Sequence, residues 1–418
     1  MIQGARPLIL LCSPGDKRSG GIQQARSRLG MPPALLIPYM DLLRGATLAG
    51  LLERQLPAGR LAELQDHSAA APPLLRLESP GGSFDMEQAL IALGAPDAGE
   101  QDDSLHPYGQ QRDPYRLSVQ AAGRLKDMPG VLHHPSQWFR GYCRLLARVQ
   151  REAGELLPAS RWQNHPGDIA AMTDKRRTQQ ILAAAGVPVP RPLGCSHPPE
   201  NYESLREMML KERMHRVFIK LACGSAASGV IAYQIHPATG AELAVTTIGT
   251  EQFITRPPIY YNSGKLRRYN DSSVLSEIID WLYSHGAYAE QWIPKAGAAG
   301  VSFDIRQLVV GDEACHSVAR VSRTPITNLH LRSRRMSPVE AGLTAEEQER
   351  VQHTAVQALA AFPRSDVAGI DVLISSGNSR RTYVADVNPF GDLLYGVEYE
   401  GCGTYEWEMK QLNFMKGH

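Results

Sequence analysis

Long apolar runs are missing from this chain. The run nearest its start, Leu8-Ile9-Leu10-Leu11, is too short for a membrane span or a secretory signal core. The expectation is a cytoplasmic protein that keeps away from membranes. An excess of one charge is missing too. Forty-four Lys and Arg stand against 43 Asp and Glu, a net charge of +1, so no global field recruits nucleic acid or an anionic surface. Cysteine is sparse and scattered: Cys12, Cys143, Cys195, Cys223, Cys315 and Cys402. No Cys-Xaa-Xaa-Cys pair or metal-ligand spacing occurs, and a chain of 418 residues does not need a disulfide framework. The thiols are expected to be reduced and mostly buried. No internal repeat or low-complexity tract is evident. With 43% hydrophobic and 21% charged residues, the composition is that of a soluble globular protein of two or three domains.

What is present begins as an α/β pattern. Leu8–Cys12 reads as a buried strand, Ser13-Pro14-Gly15-Asp16 as a turn, and a helix follows to about Leu29. Strands are expected at Ala34–Ile37 and Leu74–Glu78. The second ends in Ser79-Pro80-Gly81-Gly82, and Ser83 can cap a helix Phe84–Leu93. Alternating strands and helices point to a parallel sheet. Gly81-Gly82-Ser83 is either a small anion site or a plain turn and cap; it lacks the phosphate-loop lysine. Residues 94–132 are polar and read as a long connection or lid. His133-His134 precede a helix Ser136–Glu155; adjacent histidines point apart, which disfavours a shared metal.

The middle of the chain changes character. Asp168–Ala185 reads as one helix stopped by Gly186-Val187-Pro188-Val189-Pro190, and Asn201–Met214 as another. Val217–Leu221 and Val230–Tyr233 form a hairpin around Ala222-Cys223-Gly224-Ser225-Ala226-Ala227-Ser228-Gly229. Such a loop exposes backbone N–H groups and suits covering phosphates; the plain alternative is a flexible tip. Residues 255–275 are basic and aromatic, and read as structural or as a substrate lid rather than as a nucleic-acid surface. A helix Asp271–His285, a strand Ala287–Ile293 and a hairpin of Ile305–Val310 with Cys315–Val321 follow. Then come Arg320, Arg323, Asn328, His330, Arg332, Arg334 and Arg335, either a solvated basic loop or an anion site. Ala345–Ala361 reads as an amphipathic helix.

Near the end, Gly369–Ile374 and Tyr383–Pro389 flank Ser375-Ser376-Gly377-Asn378-Ser379-Arg380-Arg381, a hairpin pattern. A turn centred between Asn378 and Ser379 sets Asp371 opposite Asp386, with Asn388 on the same face. Two carboxylates and an amide oxygen on one patch suit magnesium. By itself the pattern also fits an ordinary polar surface hairpin.

From about Asn164 to Asn388 these pieces, in this order, resemble the ATP-grasp superfamily, and within it the branch that includes the ribosomal-protein glutamate ligases. The resemblance rests on Trp162-Gln163-Asn164-His165-Pro166, Asp174-Lys175, Gly186–Pro190, Ile219-Lys220-Leu221 with its small-residue loop, Glu290-Gln291-Trp292-Ile293, the strand Phe303–Glu313 carrying Asp304, Arg320 with Asn328-Leu329-His330, and Asp371, Asp386 and Asn388. Two features depart from it. Asp386 stands where Glu is usual, and Leu331-Arg332-Ser333-Arg334-Arg335 replaces a common glycine pair. The N-terminal pieces are similar to an uncharacterised bacterial ATP-grasp group usually found beside radical-SAM proteins, a likeness that names no substrate.

The resemblance implies an N-terminal parallel-sheet α/β domain (1–132), a helical linker and entry to the nucleotide site (133–200), a small lid subdomain (201–292) and a C-terminal subdomain with the magnesium site (293–418). The last two would be α+β units clasping ATP. It implies that Lys175, Lys220, Ser225, Glu290, Gln291, Trp292, Ile293, Asp304 and Asn328 bind the nucleotide, and that Asp371, Asp386 and Asn388 hold Mg2+, two ions or with Mn2+ instead. Arg320 and Asn388 would act in catalysis, and Arg306, Arg323, His330, Arg332 and Arg334 would grip an acidic substrate. The implied reaction joins a small-molecule or peptide carboxylate to an amine (or thiol) through an acyl-phosphate. A phosphotransferase and a non-catalytic ATP-binding regulatory module stay open, as does a homo-oligomer; no nucleic acid or membrane partner is expected.

Overall fold

The computed structural model describes residues 5–65, 71–99, 102–106, 116–195, 197–224, 228–298, 300–327 and 333–414. Four strands, β1 (Leu8–Cys12), β2 (Leu35–Pro38), β3 (Leu74–Leu77) and β4 (Arg161–Trp162), pair in parallel in the order β2-β1-β3-β4. Every residue of β1 is buried, as a parallel strand covered on both faces requires. Its two faces serve different cores. Ile9 and Leu11 pack with Leu75, Leu90, Tyr142 and Leu146 of one layer. Leu8 and Leu10 pack with Leu308, Val367, Tyr405 and Met409 of the C-terminal part.

The layer over the first face is tight. Helices Phe84–Leu93 and Pro135–Leu156 meet backbone to backbone. A Cβ on Gly141 would stand 1.9 Å from the Leu90 carbonyl oxygen, and one on Gly94 1.9 Å from that of Gln137. Only glycine permits that approach. Helix Pro135–Leu156 and β4 therefore belong to the N-terminal sheet and its core, where the sequence suggested a linker beginning at 133.

The second sheet is antiparallel: β5 (Arg216–Lys220), β6 (Val230–Ile235), β7 (Glu242–Glu251), β8 (Ile259–Tyr269) and β9 (Tyr288–Gln291), in the order β8-β7-β6-β5-β9. Helices Tyr202–Lys211 and Ser272–Ser284 cover one face through Leu205, Met209, Leu275 and Ile279. The basic, aromatic stretch is mostly β8, an edge strand whose Lys265, Arg267 and Arg268 reach outward.

The third sheet holds β10 (Gly297–Ala298), β11 (Val301–Val310), β12 (Glu313–Ser322), β13 (Arg334–Met336), β14 (Val367–Ile374) and β15 (Thr382–Asn388). Its order is β13-β12-β11-β14-β15, with β10 on β11. Helix Ala345–Ala360 backs it through Val351, Ala355 and Leu359. The fold is thus a parallel α/β layer followed by two antiparallel sheets with helices. Among the described residues no helix is long and apolar enough to cross a membrane.

The single helix expected over Asp168–Ala185 is two, Pro166–Thr173 and Lys175–Ala184. Asp174 breaks it: its extended backbone starts the second helix, and its carboxylate accepts from Arg176 N at 3.0 Å and Arg177 N at 3.1 Å. This is N-capping, and it sets Lys175 at the helix start.

Candidate active site

The β14–β15 hairpin supplies the centre. Asp371 faces Asp386 and Gly369 faces Asn388, so the inner half has the register read from the sequence. Beyond Asp371 the register shifts: Val372 faces Val384 and Leu373 faces Tyr383. The outer half therefore departs by one residue from the expected pairing. Ala385 is the extra residue of a bulge, which bends a strand and re-aims its backbone. The Ala385 carbonyl accepts from Lys220 Nζ at 3.2 Å and from Gln179 Nε2 at 3.3 Å.

Each carboxylate on this floor is met by a cation. Lys175 pairs with Asp386. Arg306, directly opposite Asp371 on β11, grips it with two nitrogens, Nε at 2.5 Å and Nη2 at 3.2 Å. Arg320 Nη2 reaches the same carboxylate at 3.0 Å. Arg320 Nε also donates to Asp304 at 2.7 Å, and Lys295 Nζ stands 3.1 Å from Asp304. The Thr327 hydroxyl donates to Asp304 as well. Arg306 Nη1 continues outward to Asp392 at 2.9 Å. The result is one chain of alternating charge: Lys295, Asp304, Arg320, Asp371, Arg306, Asp392.

Burial sets the electrostatics. It would raise the carboxyls of Asp304 and Asp371, but Arg320 and Lys295 hold the first, and Arg306 and Arg320 the second, below the ordinary range. Burial lowers the Lys295 ammonium, opposed by Asp304. Across the cleft, Lys220 Nζ lies 2.5 Å from Glu290 Oε1. Desolvation keeps the Glu290 carboxyl above its ordinary value even against Lys220 and Tyr288. A buried pair of this kind is costly to break from one side.

These groups line one cleft of about 910 Å³. Its floor is the β14–β15 hairpin with Arg306 and Arg320. One wall carries Lys220, Glu290, Phe218 and Val230 of the second sheet. The opposite wall comes from the N-terminal layer: Ser79–Phe84, Glu87, Asp127 and His133. The Gly81-Gly82-Ser83 turn thus faces the cleft, and Ser83 caps the following helix by accepting from Met86 N at 3.3 Å.

The donor set fits a hard divalent cation together with phosphates. Asp371 and Asp386 are facing carboxylates, and Asn388 donates its amide nitrogen to Gly369 O at 2.8 Å, which leaves its oxygen as the group able to serve a cation. Lys175 and Lys220 add two point charges suited to phosphate. Phe218, Ile326, Val230 and Leu373 give the cleft an apolar slot that suits a flat base. Among the described residues no three His, Cys, Asp or Glu side chains cluster into another metal site.

Of the residues singled out in the sequence, Lys175, Lys220, Glu290, Asp304, Arg306, Arg320, Asp371, Asp386 and Asn388 all line this cleft. Several do not come together as expected. Gln291, Trp292 and Ile293 are outside the lining, and the backbone N–H groups of the first two are used by Arg191 O and Arg216 O. Asp304 is turned toward Arg320, Lys295 and Thr327, so its carboxylate orders cations. Arg306 pairs with Asp371 and Asp392. Arg323 and Arg334 are exposed and outside the lining. Ser225, Asn328, His330 and Arg332 lie outside the described residues. Lys295, Thr327, Arg18 and Glu87 line the cleft without having been foreseen. The signal for Lys295 was a lone lysine following Trp292-Ile293-Pro294, just ahead of the β11 strand.

No family model matches the chain, and no curated protein matches it. Among solved structures, the ATP-grasp ligase PsnB complexed with minimal precursor is similar over 98% of both chains, at 14% identity and a TM-score of 0.49. The macrocyclase MdnC bound with precursor peptide MdnA, from Microcystis aeruginosa MRC, is similar over 98% of this chain and all of its own, at 11% identity and 0.49. The D-cycloserine synthetase DcsG matches over 97% and 98%, again at 11% and 0.49.

Proposed function

We propose that this chain is an ATP-dependent ligase of the ATP-grasp type, working in the cytoplasm, that joins a carboxylate to an amine (or thiol) and releases ADP and phosphate. The observation that carries the proposal is the convergence of Asp371, Asp386 and Asn388 with Lys175, Lys220, Arg306 and Arg320 in one cleft. Carboxylates for a metal beside lysines and arginines whose charge can be handed to phosphate are what a metal–triphosphate needs.

Asp371, Asp386 and Asn388 would hold Mg2+, which when bound offsets phosphate charge. The chain's own cations do the rest. Lys220 and Lys175 hold the phosphates, exchanging Glu290 and Asp386 for them. Arg320, fixed from two sides by Asp304 and Asp371, presents a preorganised charge to the transferred phosphoryl group, where catalysis is chiefly positioning and electrostatics. Phe218 and Ile326 take the base in an apolar slot. A carboxylate oxygen attacks the γ-phosphorus and the bond to ADP breaks. The amine then attacks the acyl carbon and phosphate leaves.

The test is a product screen. Cell extract, enzyme, Mg-ATP and isotope-labelled amino acids are incubated and read by mass spectrometry. The reading predicts a new amide formed with equal ADP and phosphate. A phosphoester with ADP alone would replace it by phosphoryl transfer. Nucleotide binding without turnover of any acid and amine pool would reduce it to a binding module.

A further inference from the structure

Six carboxylates line the cleft: Glu87, Asp127, Glu290, Asp304, Asp371 and Asp386. The last four each face a basic side chain, namely Lys220, Lys295 with Arg320, Arg306 with Arg320, and Lys175. Glu87 and Asp127 are different. Among the described residues no Lys, Arg or His comes within ion-pair distance of either, and neither has a hydrogen-bond partner. The arginine on their side of the cleft, Arg18, is taken: Nη1 donates to Phe390 O at 2.8 Å and lies 3.6 Å from Glu78. Burial and His134 lower the neighbouring His133 ring, with Asp127 opposing them, and its buried Nε2 has no hydrogen-bond partner. Phe84, Met128 and Leu132 supply apolar surface around these groups.

The cleft is therefore charge-balanced on the floor and the second-sheet wall, and carries unmatched negative charge on the N-terminal wall. Glu87, kept half-buried without a partner, costs stability, while Asp127 sits exposed at the rim. The missing partner is a cation that the protein does not itself supply. We infer that the N-terminal wall is the acceptor pocket, in which Glu87 and Asp127 hold the substrate amine as its cation, with Phe84, Met128 and Leu132 around its carbon skeleton. This rests on the ligase reading and adds to it the polarity of the cleft: phosphates and the activated acid at the floor, amine at the wall. His133 Nε2 offers one further polar contact. Burial, with Asp127 adding to it, lifts the Glu87 carboxyl to about 7. It can therefore take up the proton that the amine sheds, as its nitrogen bonds to the acyl carbon and the phosphate departs with the electron pair of the broken C–O bond.

The experiment uses the full chain with Mg-ADP present and two probes of equal size and opposite charge, n-butylamine and n-butyrate, followed by ligand-observed NMR. Native protein is expected to bind butylamine. Glu87→Gln should weaken that binding at least fivefold and Asp127→Asn at least twofold, with butyrate binding unchanged or stronger in both. Asp127 is exposed, so its variant retains the fold if Glu87→Gln does not. Equal butylamine affinity in native protein and both variants overturns the inference, as does a native protein that prefers butyrate. Mg-ADP binding is measured separately by calorimetry. Its absence in native protein sinks the ligase reading, whereas its presence with no amine preference sinks only the acceptor pocket.

Discussion

Asn164 and Pro389, 225 residues apart in sequence, are joined by a hydrogen bond from the Asn164 side-chain amide to the Pro389 carbonyl. The same amide donates to Val367 O at 2.7 Å, and its oxygen accepts from Asp366 N at 3.0 Å and Val367 N at 3.1 Å. One buried side chain thus fixes the start of β14 and the residue that follows Asn388. Asn164→Ala would remove a partner from four backbone groups, of which Asp366 N keeps Gln163 O at 2.9 Å, and is expected to cost about 3 kcal/mol, since a buried group left unsatisfied costs ~1–3 kcal/mol. Urea unfolding measures this. A loss below about 1 kcal/mol would show that water replaces the side chain.

Lys220 and Glu290 make a second case. Lys220→Met leaves Glu290 buried and uncompensated, and should destabilise by about 3–5 kcal/mol while removing nucleotide binding. The double variant Lys220→Met with Glu290→Gln should recover much of the stability and none of the binding. Calorimetry and denaturation on the same samples separate the two effects. Recovered nucleotide affinity in the double variant would remove Lys220 from the phosphate site.

Asp386→Asn removes both the Lys175 partner and one of the two facing carboxylates. Turnover of ATP should fall by about 100-fold, the scale of losing one preorganised electrostatic group, with the apparent Mg2+ requirement raised. Activity close to native in this variant contradicts the metal assignment.

The Glu87 carboxyl gives a pH test that needs no substrate. Its folded value, about 7, lies above the ordinary 4.5, so the folded chain prefers the protonated form. Between these values the folded protein holds a proton that the unfolded chain has released. Raising the pH through that window therefore removes stability. Glu87→Gln carries no such group. The melting temperature of the variant minus that of native protein should rise from about pH 4.5 to about pH 7 and level off above. A flat difference would show that Glu87 is solvated in the folded state.

Much of this was legible in the sequence, for local reasons. Ser83 capping Phe84–Leu93, the buried run of β1, and the amphipathic run of helix Ala345–Ala360 all depend on neighbours a few residues away. The facing of Asp371 and Asp386 followed from turn chemistry and strand periodicity. What escaped was non-local or compensated. The bulge at Ala385 cannot be seen from a symmetric turn. β7 and β8 were missed because β8 is a polar edge, and β7 has its own register shift between Thr246 and Ile248. The break at Asp174 was hidden by helix-forming residues on both sides. Lys295 acquires its role only from Asp304 of β11 and Thr327 beyond β12. That the N–H groups of Gln291 and Trp292 are held by Arg191 O and Arg216 O could not be read from the local sequence either.

Arg76, buried in β3, bonds Glu78 at 2.6 Å and Glu408 at 2.5 Å, the latter 332 residues further along the chain. Glu78 balances the Arg76 charge locally, but Arg76 Nη1 gains the Glu408 carboxylate only when helix Thr404–Phe414 has docked beside helix Lys17–Arg28. During synthesis, at roughly 5–20 residues per second, the N-terminal layer waits on the order of half a minute for that helix. Through this interval Leu8 and Leu10 stand uncovered on one face of the nascent sheet, and Arg76 lacks its second carboxylate partner. Completion of the fold therefore waits on the emergence of helix Thr404–Phe414, and a holding chaperone should bind the stalled nascent chain until Glu408 has emerged.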